Sequence, residues 1–363
     1  MSANKRVFYA IKKAGIAPIG SNNFTTIHGL QSAGVTTTFN LEQVFEISQI
    51  GIYENIEGIP DVEVTMEKVL DGWPPIVTLV SQNASSSSLI ARAKESCILG
   101  MPIYSDASDS ATGTPVGEVQ MSGLYLSSVG YEVTVDGNAT ESVTLIGNNK
   151  VWVGNSNAPS YVAGTYDDGT HWDGSSIANN DDSPLAISGS GGVNRREDVL
   201  FGAATNRTKL PTEIPGINSS GYNVLDAGGN YNCHVQRISI SADLGRTPMF
   251  ELGRRGAYHR FANYPVRVTS EISILSVSGD YISATEEGIY SVSGPCGSYN
   301  LTDQEIQLAL CEGLLVNAGT KNKLESVAVG GGDAGGDNEE ITYTYVSFNV
   351  MTITHPRDPN TNF

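Results

Sequence analysis

Basic residues are scarce in this chain. Lys and Arg number 21 against 39 Asp and Glu, which gives a net charge of −18 over 363 residues. Wrapping a nucleic acid by neutralising its phosphates needs a basic face, so the charge balance argues against that function. An acidic wall past which DNA slides without sticking is compatible with the same charge, and so is plain solubility. Charge of either sign is also low, at 17% of residues, whereas Gly reaches 40. Little charge with much Gly, Ser, Thr and Asn suits a strand-rich protein that covers its outer surface with neighbours.

Cysteine is equally sparse. Cys97, Cys233, Cys296 and Cys311 show neither zinc-ligand spacing nor a C-x-x-C pair. Reduced thiols are expected in a cytosol, and a disulfide formed later in an oxidising medium is the alternative. The start, MSANKRVFYAIKKAGIAPIG, lacks the uninterrupted apolar core of a secretory signal. No run of about 20 apolar residues occurs, so no membrane span is expected. The length allows one large domain or two.

Motifs for chemistry are missing as well. His28, His171, His234, His259 and His355 are scattered, and no H-E-x-x-H occurs. Cys233 and His234 are adjacent, but neighbours on a strand point to opposite faces, which argues against a nucleophilic dyad. The glycine-rich stretches at 189–192, 228–229 and 330–336 match no phosphate loop. Asp167, Asp168, Asp173, Asp181 and Asp182 sit on a glycine-rich loop. They offer calcium-type ligands without the EF-hand spacing, and a solvated loop is the other reading. No catalytic residue, metal or cofactor is assigned, and the expectation is a non-enzyme.

What the chain does have is strand patterning. Val62, Val64 and Met66 alternate with Asp61, Glu63, Thr65 and Glu67. A break at Gly72–Pro75 leads into Ile76–Val80, which reads as a second strand. The serine run at 85–88 caps an expected helix over 88–99. Tyr131, Val133 and Val135 alternate with Glu132 and Thr134, Asp136-Gly137 is a turn pair, and 141–146 returns, which predicts a hairpin. Val266, Val268, Ile272 and Ile274 lie opposite Arg267, Thr269, Glu271 and Ser273. Thr302–Glu305 reads as a capping box that opens a helix ending near 317–319. Ile341–Thr354 is a last strand whose apolar phase changes midway, predicting a bulge or two covered faces.

The resulting outline is an N-terminal arm over 1–30, with a short helix at 3–13, and a core in two parts, 31–153 and 231–356. A loop-rich outer insertion over 154–230 interrupts the core, and 357–363 forms a C-terminal tail. The fold class is mainly β, a sandwich or barrel with two short helices.

Four stretches, 95 residues together, resemble the tube-building core of bacteriophage tail tube proteins. They are ISQIGIYENIEGIPDVEVTMEKVLDGWPPI ending at Ile76, residues 126–153, VRVTSEISILSVSGDYISA at 266–284 and EEITYTYVSFNVMTITHP at 339–356. The resemblance implies copies joined into rings, commonly hexameric, whose long strands form one barrel around an acidic channel that genomic DNA passes without specific binding. Rings stack through loops and terminal arms. Sheath, terminator and baseplate proteins are the implied partners, and the virion tail, assembled in the host cytoplasm, is the implied location. Glu132, Thr134, Glu141, Arg267, Thr269 and Glu271 are then the lumen-facing candidates. Glu63, Glu67, Arg254 and Arg255 are candidates for contacts between subunits. The chain is about twice the usual length of that family, so a specialised ring at one tail end or a capsid decoration protein is the nearest alternative. A glycan-binding adhesin using Trp152, Trp172 and the aromatics of 154–230 is an alternative of another class.

Overall fold

The computed structural model describes residues 7–21, 24–48, 50–104, 115, 117–154, 192–202, 204–214, 216–217, 233–253, 256–275, 303–331 and 338–359. In chain order the strands begin with β1 (Gly15–Pro18), β2 (Thr25–Thr26), β3 (Leu30–Thr38), β4 (Leu41–Phe45), β5 (Ile52–Glu57) and β6 (Asp61–Val69). Helices α1 (Ile76–Val80) and α2 (Leu89–Arg92) follow. Then come β7 (Ser96–Ile103), β8 (Gly117–Thr134), β9 (Thr140–Gly147) and β10 (Val151–Gly154). The second half holds β11 (His234–Asp243), β12 (Arg246–Met249), β13 (His259–Ala262), β14 (Arg267–Leu275), β15 (Gln307–Ala309) and β16 (Leu315–Asn317). It closes with β17 (Lys323–Gly330), β18 (Glu340–Phe348) and β19 (Thr352–Thr354).

The principal sheet runs β3-β6-β9-β8-β11-β14-β18-β17, antiparallel throughout. Strand β8 is its spine. The C-terminal half lies between β9 and β11, while the N-terminal half pairs with β7 and β10, and β7 continues into β1 and β2. The change of neighbours falls near Gly123, whose φ of +64° is open to glycine at little cost.

One face of the principal sheet is apolar because alternate residues on every strand are. Val64, Val143, Tyr131, Ile240, Ile272 and Tyr343 are buried from successive strands. Against this face lie α1, α2 and the small sheet β15-β16-β19, through Leu79, Leu89, Leu308, Val316 and Ile353. Each buried Val, Leu or Ile contributes about 1.5–3 kcal/mol, so this two-layer contact dominates the stability of the fold.

Several sequence expectations are corrected. Ile76–Val80, read as a strand, is the helix α1, with all five residues buried. A short run, apolar except for Thr78 and buried throughout, carries no period to separate helix from strand. The helix expected over 88–99 begins as foreseen, with the Ser88 hydroxyl accepting from Ala91 N–H, but stops at Arg92. From Ser96 the chain is drawn between β1 and β8 as a strand. The helix expected from the capping box is instead the hairpin β15–β16. Thr302 lies outside the described residues, and the acids of the motif are engaged elsewhere, Asp303 with Lys323 and Glu305 with Lys209. The arm is not free from residue 7 onward, since Ile11, Ala14 and Ile16 are buried and β1 pairs with β7. Of the helix expected at 3–13, residues 3–6 lie outside the described residues, and over 7–13 a single 3-10 turn at Tyr9–Ile11 stands in its place. The phase change in the last strand has a plain cause: after Asn349, at φ +60°, the chain leaves the principal sheet and enters the small one.

Candidate functional site

The second face of the principal sheet is polar; the β12–β13 ribbon reaches its Asp61 and Tyr125 corner through Arg260, His259 and Arg246, and Glu63, Glu67, Glu132 and Glu271 stay partly or fully exposed. Register places Thr140, Glu132, Ser239, Glu271, Thr344 and Ser326 in one row across it. The neighbouring row is Glu67, Ser142, Gly130, Ser241, Thr269 and Val346. Arg237 sits within the face, its Nε donating to Glu132 at 2.7 Å and Nη1 to Glu271 at 2.9 Å. Arg267 pairs with Glu325. The hydrogen bond and charge of Glu132 raise the Arg237 pKa, with Glu271 acting in the same direction. On the strands from β6 to β14 the outward charges include Glu63, Glu67, Glu132, Asp243 and Glu271 against Arg237 and Arg267, so this strip is acidic.

Five of the six lumen-facing candidates, Glu132, Thr134, Arg267, Thr269 and Glu271, lie on this polar face. Glu141 does not, and its assignment is corrected. It shares the phase of Val143 and Leu145 on β9 and is completely buried. Its carboxylate accepts from Ile76 N–H at 2.5 Å and Val77 N–H at 3.1 Å, and Tyr131 donates its hydroxyl at 2.9 Å. Helix α1 is too short to stand alone, and its leading N–H groups need acceptors, which β9 supplies. Burial raises the Glu141 pKa, opposed by those two backbone hydrogen bonds. The signal was available in sequence: Glu141 sits two residues before Val143.

Glu63 and Glu67 are exposed on β6, next to the edge strand β3, while Arg254 and Arg255 lie outside the described residues. So do Asp167, Asp168, Asp173, Asp181, Asp182, His171, Trp172 and Cys296, with most of the 154–230 insertion. Cys233 is buried, which pushes its thiol up to about 12, and His234 is exposed. The two side chains therefore form no dyad. Cys97, Cys233 and Cys311 are free thiols. Among the described residues no cluster of three or more His, Cys, Asp or Glu could hold a metal, and no helix is long and apolar enough to cross a membrane.

Two features escaped the reading by periodicity. The first is the edges. Strands β3 and β17 each have one partner, β6 and β18, and leave their other sides bare among the described residues. A bare edge is a matter of topology, which alternation does not reveal. The second is exposed apolar surface on two ribbons. The β4–β5 ribbon exposes Phe45, Ile47, Ile50 and Tyr53, with Ile47 at 97% and Ile50 at 103%. The β12–β13 ribbon and its loop expose Met249, Phe250, Leu252, Tyr258 and Phe261.

No family model and no curated protein matches the chain. Some solved structures are similar to part of it. A chain of the anti-feeding prophage cap, the tube-terminating cap, is 10% identical with a TM-score of 0.32, covering 43% of this chain and 95% of that one. A chain of an extracellular contractile injection system sheath-tube complex in the extended state is 9% identical at 0.31, covering 42% and 95%. A chain of the anti-feeding prophage baseplate is 11% identical at 0.31, covering 42% and 98%. At these values the likenesses fix neither family nor function.

Proposed function

We propose that this chain is a structural subunit that closes into rings and builds a phage-type tail tube, with the polar face of the principal sheet turned to the channel. The observation that carries this is the combination of two bare sheet edges with one acidic, hydroxyl-rich face. A long bare edge is an aggregation hazard unless something pairs with it. Strand β3 contains no charged residue and no proline, and β17 is of similar length, so β17 of one copy is a fitting partner for β3 of the next. Repeated around an axis, that pairing removes every edge and makes one continuous barrel. The carboxylates of the polar face repel a phosphate backbone, and Arg237, held between Glu132 and Glu271, is not offered to it. Virion tail location, hexameric rings and contacts with sheath, terminator or baseplate proteins belong to the same reading.

The test is electron microscopy of the purified protein beside two edge variants, Thr36→Pro and Thr37→Pro. Successive N–H groups on an edge strand point alternately to the partner and outward, so one of the two prolines spares β6 and blocks an incoming strand. Rings in the wild type and folded monomers in that variant are expected. A wild type that stays monomeric at high concentration sinks the reading.

A further inference from the structure

Charge is segregated along the start of the chain. Residues 1–41 contain Lys5, Arg6, Lys12 and Lys13 and no acid. Residues 42–67 contain Glu42, Glu46, Glu54, Glu57, Asp61, Glu63 and Glu67 and no Lys or Arg. The fold converts this into two separate surfaces. The acidic stretch forms the β4–β5 ribbon, in which Glu42, Glu54 and Glu57 are exposed beside Leu41, Phe45, Ile52 and Tyr53. Lys5 and Arg6 lie outside the described residues, while Lys12 and Lys13 line an open groove of about 710 Å³ between the segment from Val7 to Ala14 and the start of β3. Phe8, Tyr9, Lys12, Ile27, Leu30 and Ala33 line it. Tyr9 is 91% and Val7 53% exposed, Lys12 is exposed, and the Lys13 ammonium lies over the Tyr104 ring.

The two surfaces match in chemistry: a ribbon of apolar side chains studded with carboxylates, and an apolar groove edged with lysine. They also lie at opposite ends of one strand. The groove meets β3 at Leu30–Ala33, and the ribbon leaves it after Thr38. Nine residues of strand span about 25–30 Å. The Asn40 carbonyl, which accepts from Gly58 N–H, closes the base of the ribbon, and the exposure of Phe45, Ile47, Ile50 and Tyr53 shows that the ribbon is not seated in the groove of its own chain.

We propose that the β4–β5 ribbon of one copy seats in the groove between Tyr9 and Ala33 of a second copy, with Glu42 and Glu54 facing Lys12. The contact rests on the ring-forming reading and names the surfaces that stack one ring on the next. Donor and acceptor are different patches, so the contact is head-to-tail and two copies alone do not satisfy it. A ring built this way presents ribbons on one rim and grooves on the other. Like-charge pairs at such a contact cost several kcal/mol. Glu42→Lys therefore raises the concentration needed for stacking by about 10-fold or more, and Lys12→Glu in the same chain restores it.

The direct test is a Tyr9→Cys/Ile47→Cys double variant of the full chain, oxidised after assembly and run on a denaturing gel, with each single variant as control. A covalent ladder of three or more copies, absent from both controls, is expected. Stacked rings seen by microscopy without the ladder overturn this contact and leave the ring reading standing. A wild type that forms no rings overturns both. If the double variant does not fold, the Glu42→Lys and Lys12→Glu pair, followed by sedimentation, decides: failure of the double charge swap to recover stacking overturns the contact.

Discussion

Glu132 and Glu141 occupy adjacent rungs of the same strand pair, Glu132 opposite Thr140 and Glu141 opposite Tyr131. One residue of phase separates them, and their circumstances are opposite. Glu132 is partly exposed on the polar face and meets Arg237. Glu141 is buried beneath the sheet, where it ties β9 to α1 and Tyr131. A carboxylate in water gains little from a partner, whereas one out of water must have its acceptors filled. The polar face can therefore be altered for function at little cost to the fold, and the buried face cannot.

The largest expected effect breaks the comparison at Glu141. Glu141→Ala leaves two helix N–H groups and a tyrosine hydroxyl without an acceptor, and it should cost about 3–4 kcal/mol in urea unfolding. A loss below 1 kcal/mol would mean that α1 does not depend on β9. Next comes Glu312, also on the buried side, where its carboxylate accepts from Gly72 N–H at 2.9 Å. Burial raises its pKa to about 7. A carboxyl whose folded pKa lies above its unfolded value of 4.5 holds its proton longer in the folded state. Its contribution is present at low pH and is lost as pH rises from about 4.5 through 7. Glu118, also raised to about 7 by burial, acts with the same sign. Glu312→Gln, which keeps an acceptor for Gly72, should stabilise the protein at pH 8 by about 2 kcal/mol and remove part of the decline between pH 4.5 and 7.5. An unchanged pH profile would place that carboxyl in water. The smallest effect is on the polar face. Glu132→Gln should shift stability by no more than about 0.5 kcal/mol, read in the same urea titration, because its ion pair is solvent-screened. A cost above 2 kcal/mol would show that this face is covered.

Much of the principal sheet was legible because its alternation is regular. The hairpin from Tyr131, the strand after Val266 and the strand Asp61–Val69 all follow the two-residue period. The errors fell where that period is silent or where a polar residue was assumed to face water. Ile76–Val80 is apolar except for Thr78 and buried throughout, so burial on all sides hid its helical turn. Glu141 is acidic, and its chemistry outweighed its phase in the reading. Asp303 and Glu305 look like helix-capping acids, but lysines distant in sequence, Lys323 and Lys209, claim them. The candidate site was half legible: the polar face follows from alternation, while the bare edges follow from which strand lies last in the sheet.

Strand β8 has a mechanical consequence. It runs for 18 residues and is paired on both sides over much of its length. In antiparallel ladders the hydrogen bonds lie across the strands. A pull along the β8 axis therefore loads many rungs at once in shear, and a load applied at the β7 end reaches β11 through covalent backbone rather than through a hinge. If that axis lies along the direction in which copies are stacked, the subunit behaves as a tie rod, stiff in tension and yielding first at the loops between strands.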